Sequence, residues 1–500
     1  MQLQKTDKTT LTTDDILQYM EEYERGQVKE FDKLWEYYLG NNKTILDKKA
    51  PDPNSPNYKV PIPYGRKIIT TFTGYAYRPR YITYKPVDPK DEPKETKGEE
   101  PVKKPATPAE AYIGQLQETF NLNGEHIKTS RAGRNTGIFG LSYELLYIDK
   151  ALDAQASVKA EPRFFSVDPR EMILLYDYSS EPRRVVAIRF YSVTKDYYKV
   201  EVFYPDRVET YDRKREENSG KWTLAFVGKE PNFFGEVPVI PYYFGDEMLG
   251  IIKPVLPLID AYDVLVSDSM NEFEKFGAAI LKLSGFNLTD PTKKKEPGVF
   301  SQVLANLKRY RVIEGIPKDA DVSFLTKDIP TAFITWMSEF VRDQIHVQSH
   351  VPDFTGEKMS GASGIAIQRL LFDFENVVSS AEADFDLGLM ERIRLITLLY
   401  SKAGRVVGSP DMVSISHKRN VPLDLKQFAD TALTMKSAGF SRYVVADVMP
   451  DDIIPSVEEE LARQDEDSKA MMPDIEAIPQ EVDENGKPVE KPFGGKNGQV

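Results

Sequence analysis

Along this chain the spacing of apolar positions changes in a definite order. Between residues 11 and 50 it is helical: Ile16, Tyr19, Met20 and Tyr23 share a face, and Thr13 ahead of Asp14 and Asp15 is placed as the N-cap. Residues 109–150 contain a second helical pattern, opening AEAYIGQLQETF. From Phe164 to Tyr243 the period shifts toward two, in the short runs VVAIRFYSV, YKVEVFY, RVETYD and WTLAFV. Turn chemistry at YPD and ENSGK separates them, which predicts an antiparallel meander over 164–243. The run GEVPVIPYYF, with Pro238 and Pro241, closes it as an edge strand leaving the sheet.

Beyond it the pattern is mostly helical. Pro257 to Phe276 has no internal proline or glycine, and its twenty residues span about 30 Å as a helix. Leu258, Ile259, Tyr262, Leu265, Val266 and Met270 follow its apolar stripe, while Asp260, Asp263, Asp268 and Glu272 fall mainly elsewhere. Residues 277–329 are mixed, with the lysine run Lys293–Lys295 and the strand-like YRVIEG. A further helix is predicted from about Thr331 to Val351. The segment VPDFTGEKMSGASG, 351–364, is too small and polar to pack a core. After it, Ile365 to Ala403 offers 39 residues broken only by Gly388, about 58 Å as a helix. So long a helix must lean on neighbours over its whole run.

Composition sharpens this α+β reading. The chain has 500 residues and no cysteine, so disulfides and thiolate zinc sites are excluded. That length gives a prior of roughly three domains. No window offers ~18 uncharged apolar residues to span a bilayer, and MQLQKTDKTTLTTDD has no apolar core to serve as a secretory signal. The formal net charge of −13 argues at first against a nucleic-acid partner. Its distribution weakens that argument: the last fifty residues hold 14 acids and 5 bases, leaving only −4 for the first 450. Residues 471–500, rich in Pro, Gly and acid, read as a disordered tail, and Pro86 to Pro108, with six prolines and eleven charges, as an extended loop.

Catalytic motifs are missing. There is no G-x-x-x-x-G-K-[ST] for nucleotide binding, no H-E-x-x-H and no G-x-S-x-G. Of the four histidines, His346 and His350 form an i,i+4 pair, better read as polar positions near a helix end than as metal ligands. Carboxylates such as Asp168, Glu171 and Glu458 to Glu460 could hold Mg²⁺ in a nuclease, but a solvated acidic face accounts for them more simply. No catalytic site, cofactor or metal is expected.

Four stretches carry a family resemblance: SVDPREMILLYDYSSEPRRVVAIRFYSV (166–193), GEVPVIPYYFGDEMLGIIKPVLPLIDAYDVLVSDSMNEFEKF (235–276), MSGASGIAIQRLL (359–371) and MPDDIIPSVEEELAR (449–463). In their order and total length they resemble a bacteriophage portal protein, of the family found in long-tailed phages of Gram-positive bacteria. The resemblance covers most of residues 20–465. It implies a ring, usually dodecameric, at one vertex of a phage head, through whose tunnel double-stranded DNA passes without specific or tight binding. Implied partners are the terminase large subunit, a head-completion adaptor, and the major capsid and scaffolding proteins, with assembly in the host cytoplasm. Mapped on this chain, 1–256 would be the wing, 257–276 and 330–350 two stem helices with the clip (277–329) between them. The tunnel loop would be 351–364, the long wing helix and its return 365–421, and the crown 422–470. The rival readings are another capsid or connector protein without a DNA channel, and a metal-dependent nuclease.

Within that frame the residues take candidate roles. Asp353, Thr355, Gly356, Glu357, Lys358, Met359, Ser360 and Gly361 would face DNA from the tunnel loop. One lysine per subunit there makes a ring of charge without a tight phosphate site. Lys293, Lys294, Lys295, Lys308, Arg309 and Arg311 make the clip basic enough to dock an acidic partner or guide DNA, or they are simply solvated. Asp260, Asp263, Asp268 and Glu272 are candidates to line the tunnel and repel phosphate, with ion pairs or solvent as the alternative. Trp336, among Phe333, Ile334, Met337 and Phe340, reads as packing between helices, not as a base-stacking platform.

Overall fold

The computed structural model describes residues 3–50, 53, 55–87, 107–148, 161–245, 247–277, 280–284, 321–325, 330–354, 364–405, 408–419, 425–449, 453–454 and 457–470. The chain divides into two compact units, Met1–Val421 and Pro422–Val500. The second holds helices Leu425–Ser437, Arg442–Asp447 and Val457–Ala470. The Pro-rich stretch from 88 to 106 and the acidic tail from 471 lie outside the described residues.

In the first unit, strand β1 (Gln4–Lys5) precedes helix α1 (Thr13–Tyr23). The cap is Thr12, one residue before the expected Thr13. Thr12 Oγ1 accepts the Asp15 N–H at 3.2 Å, and Asp15 Oδ2 accepts the Thr12 N–H at 3.0 Å. Only a hydroxyl three residues ahead of the acid can close that reciprocal box. A π-helical turn, Glu24–Val28, leads into α2 (Lys29–Leu39), then α3 (Lys43–Leu46), α4 (Tyr64–Ala76) and β2 (Ile82–Pro86). Helices α5 (Pro108–Asn123) and α6 (Glu125–Phe139) follow.

The helical pattern expected within 109–150 is these two helices, and it ends at Phe139. Gly140 ends α6 at φ 84°, and residues Leu141–Ile148 form strand β3. Only glycine fits at that turn, since a Cβ would lie 2.1 Å from the Met248 carbonyl oxygen.

The meander is likewise narrower than 164–243. Strands β5 (Met172–Tyr176), β6 (Arg184–Thr194), β7 (Tyr197–Phe203), β8 (Arg207–Arg215) and β9 (Trp222–Pro231) run antiparallel in sequence order, and β1 adds to β5 in parallel. The two ends of the expected meander, β4 (Pro162–Val167) and β10 (Val239–Tyr243), instead flank β3 in a separate three-stranded sheet. Burial explains the split: β3 is buried on both faces through Leu146, so it serves as a central strand that needs a partner on each side. Pro241 sits in an edge strand, since among the described strands β10 pairs only with β3, Pro241 opposite Tyr143, and Pro238 lies just before that strand.

Helix α7 (Leu256–Gly277) and helix α8 (Thr331–Ser349) flank a small antiparallel pair, β11 (Ile280–Ser284) with β12 (Asp321–Leu325). Helix α9 spans Gly364–Lys402, and β13 (Val413–His417) returns to pair with β2. Leu371, Phe374, Val378, Ala381, Phe385, Leu389, Ile393, Ile396 and Tyr400 bury one stripe of α9 along nearly its full described length. Burial of that extent is what holds so long a helix together.

Polar cross-links fasten the same helix. Arg392 is fully buried and grips Glu144 of β3 with two bonds, Nε to Oε1 at 2.7 Å and Nη2 to Oε2 at 2.8 Å. Its Nη1 also donates to Glu125 Oε1 at 3.0 Å and to Thr129 Oγ1 at 3.0 Å. Burial alone would lower the arginine's pKa, but Glu144, Tyr242 and Tyr84 together outweigh it and the net shift is upward, so the guanidinium stays charged. Further along α9, Arg419 bridges Glu375 and Glu382.

His417 completes this second cluster. Its Nε2 lies 2.8 Å from Asp386 Oδ1, and its Nδ1 lies 3.2 Å from Glu382 Oε1, near enough for charge attraction though not aligned as a hydrogen bond. Burial opposes its protonation, yet Asp386 and Glu382 raise its pKa to about 9. A histidine whose folded pKa lies above its unfolded value of 6.5 stabilises the fold fully below pH 6.5, and loses that stabilisation as pH rises toward 9. At 1.36 kcal/mol per pKa unit the effect is about 3 kcal/mol. Thermal melts from about pH 6 to about pH 9.5 should therefore show a fall in Tm that His417→Gln flattens; an equal slope in both proteins would contradict this assignment.

Candidate channel and assembly site

Helices α7 and α8 lie against each other and are the elements expected to form a stem. Four carboxylates on α7, Asp260, Asp263, Asp268 and Glu272, are the candidates that the resemblance offers to line a tunnel. Three of them instead bond to an earlier part of the same chain. Asp260 Oδ1 accepts from Tyr37 Oη at 2.6 Å and from Asn42 Nδ2 at 2.9 Å. Asp263 is fully buried and accepts from Asn42 Nδ2 at 2.7 Å and from the Ile62 N–H at 2.9 Å. Asp268 pairs with Lys48 at 2.5 Å and keeps half of its side chain exposed. Glu272 is partly buried and has an interaction of its own.

Two neighbours on α7 continue the seam. Ser267 Oγ accepts the Val60 N–H at 3.1 Å, and Asn271 Oδ1 accepts the Tyr58 N–H at 2.6 Å. The polar face of α7 thus satisfies the backbone of an irregular segment that would otherwise bury unpaired N–H groups. Burial raises the pKa of Asp263 against the opposing bonds from Asn42 and Ile62. Burial also lifts Tyr37, with help from Asp260, to about 12. For Asp263 the tunnel-lining role is therefore corrected, since a carboxylate with no exposed surface cannot face passing DNA. Asp260 is likewise committed to Tyr37 and Asn42.

The apolar face of α7 is buried at Ile259 and opens toward the end of the helix, where Met270 and Phe273 are exposed. Tyr262, Leu265, Val266, Met270 and Phe273, with Ile334 and Ser338 of α8, line a groove of about 410 Å³. Among the described residues Trp336 does not pack between helices: it is 56% exposed and sits in a ladder with Phe333 and Phe340, ring centroids 5.9 and 5.8 Å apart. Helical geometry turns Ile334 and Ser338 toward α7 and so turns Trp336 away.

Where α8 ends, the chain is tied down. His350 takes a left-handed conformation (φ 57°), and His346 Nδ1 lies 2.8 Å from the Val351 carbonyl oxygen. An acceptor there requires Nδ1 to carry the proton, which leaves Nε2 to face Lys67 Nζ at 3.5 Å. Burial lowers the pKa of His346 and keeps it neutral. Lys67 also binds Asp353 Oδ1 at 2.9 Å. Asp353, expected to face DNA, is fastened to the body of the chain by this pair. Thr355, Gly356, Glu357, Lys358, Met359, Ser360 and Gly361 lie outside the described residues, as do Lys293, Lys294, Lys295, Lys308, Arg309 and Arg311. Among the described residues no group of three or more His, Asp or Glu side chains gathers as a metal site; Asp168 caps the turn at Pro169–Glu171 and holds Arg170 at 2.7 Å.

The partners of α7 were not readable in advance. Asn42 is recognisable as a helix cap, but it lies 221 residues from Asp263, and no local signal joins them.

With this geometry in place, comparison with known proteins identifies the class. Residues 17–470 match the family described as phage portal protein, SPP1 Gp6-like, and the chain belongs to that family. Among individual proteins, it is similar to the portal protein of Bacillus phage SPP1, 24% identical over 255 residues. That match takes in 48% of this chain and 48% of the relative, so it spans about half the relative's length. Two solved structures also align. The neck of a native GTA particle computed with C12 symmetry gives a TM-score of 0.46 at 7% identity, over 84% of this chain and 94% of the other. The neck of an empty GTA particle computed with C6 symmetry gives 0.43 at 9% identity, over 83% and 93%.

Proposed function

We propose that this protein assembles into a ring, a dodecamer in our reading, that forms the DNA channel at the portal vertex of a phage head. The observation that carries the proposal is the order helix, strand pair, helix, loop foot and 39-residue helix in a chain matching a portal family over 17–470. In this assignment 1–256 form the wing, α7 and α8 the stem, 277–329 the clip, 351–364 the tunnel loop, 365–421 the long wing helix with its return, and 422–470 the crown. The protein is a conduit without an enzymatic role. It passes double-stranded DNA during packaging and ejection, nucleates head assembly, and docks the terminase large subunit and a head-completion adaptor. The energy for packaging comes from that terminase, since this sequence has no P-loop.

A sliding channel must avoid many phosphate contacts, because each neutralised phosphate adds affinity that salt then modulates. The acids that pair along α7 are spent on the fold, so any weak charge offered to DNA comes from elsewhere, and Lys358 in the tunnel loop is our candidate. Because Asp353 is fastened to Lys67, the loop can be altered beyond it without disturbing its foot. Replacing residues 355–361 with a Gly/Ser linker should leave ring assembly intact and lower packaged DNA per head. The first measurement is negative-stain imaging of the purified protein. Rings with a central hole are expected, and any other assembly would overturn this reading.

A further inference from the structure

On α8, Phe333, Trp336, Phe340 and Val347 recur at spacings of three, four and seven residues. At 100° per residue they form one ridge, roughly 150° around the helix from Ile334 and Ser338, which face α7. All four ridge residues are about half exposed, from 48% for Phe340 to 58% for Val347. Stacked aromatics on a helix surface are costly to leave in water. The same chain also carries an apolar groove. Its floor is the α7 face beside Ile334, and its rim includes Met270, 44% exposed, and Phe273, 75% exposed.

We infer that the Phe333–Trp336–Phe340 ridge of one copy seats in the α7 groove of the next copy. The spacing of the ridge is that of a helix anchoring in an apolar groove. Ridge and groove lie on different faces of the same helix pair, so the contact is head-to-tail and repeats from copy to copy, as ring closure demands. Area supports a second copy as the occupant. Three aromatics of about 150–250 Å² each and one valine, all half exposed, offer roughly 400 Å², half of the ~800 Å² one partner contributes to a standard interface. The ridge is thus the apolar centre of a larger contact. This inference rests on the ring reading only for closure of the assembly.

The test uses the absence of native cysteine in the full chain. Trp336→Cys alone and Phe273→Cys alone, treated with a bismaleimide crosslinker, should stay monomeric on a denaturing gel. Mixed, they should give a crosslinked dimer, and the double variant should give a ladder. Crosslinked dimers of either single variant would mean that like meets like, and would overturn the head-to-tail contact. The second measurement is oligomeric mass. Trp336→Asp with Phe340→Asp, and separately Met270→Asp with Phe273→Asp, should each abolish rings while keeping the wild-type circular dichroism, since every altered position is exposed. Rings formed by either variant would overturn the interface and leave the ring reading standing. A wild type that forms no rings would overturn both.

Discussion

Replacing Arg392 with methionine is expected to destabilise the protein by about 3–5 kcal/mol, the usual result of leaving a buried partner charge uncompensated. Arg392 has no exposed surface, and it is bonded to two carboxylates, Glu144 on β3 and Glu125 on α6. Tyr242 Oη also donates to Glu144 at 3.2 Å, and Tyr84 Oη to Glu125 at 2.8 Å. Without the guanidinium, Glu144 would have to bind a proton or draw in water. Combining Arg392→Met with Glu144→Gln should therefore recover part of the loss, because an apolar and neutral pair of similar volume tolerates burial. Denaturant midpoints at constant m-value would measure both steps. A double variant no better than the single one would show that packing, not uncompensated charge, sets the cost.

Gly388→Ala should destabilise by about 1–3 kcal/mol, although the same change in an exposed helix interior usually gains about 1 kcal/mol. The reversal follows from proximity. A Cβ at 388 would sit 2.5 Å from Tyr242 Cδ1 and 3.1 Å from the Pro241 carbonyl oxygen, both on β10. Neither can swing aside, because Tyr242 is fully buried and Pro241 is fixed in its pairing with Tyr143. The sign of the change in Tm decides it. A stabilised Gly388→Ala would mean that α9 does not press on β10 so closely.

Much of the element order was legible from periodicity. The long helix, the two helices before it and the successive antiparallel strands all announce themselves through spacing that backbone geometry enforces locally. The errors lie where pairing is long-range. The strand at Leu141–Ile148 carries no strand signal in the sequence, because six consecutive buried residues erase the alternation that marks a strand, and Gly140 is the local sign of a break. The division of the strands into two sheets is invisible for the same reason. Nothing within β4 or β10 records that each will pair with β3.

The candidate site divides along the same line. The amphipathic character of α7 was readable, but which face would meet the chain was not. A polar face normally turns to solvent, and here it turns inward because segment 37–62 offers Tyr37, Asn42 and bare N–H groups that need acceptors. That choice leaves Met270 and Phe273 of α7 exposed, and it commits Asp260 and Asp263 to the fold in place of the tunnel-facing role expected of them. The sequence by itself determined the periods, the loops, the absence of catalytic motifs and a body charge of only −4 outside the last fifty residues. Tertiary structure alone decided the direction in which each face points. Spacing selects which residues share a face, whereas orientation depends on partners brought together from more than 200 residues away.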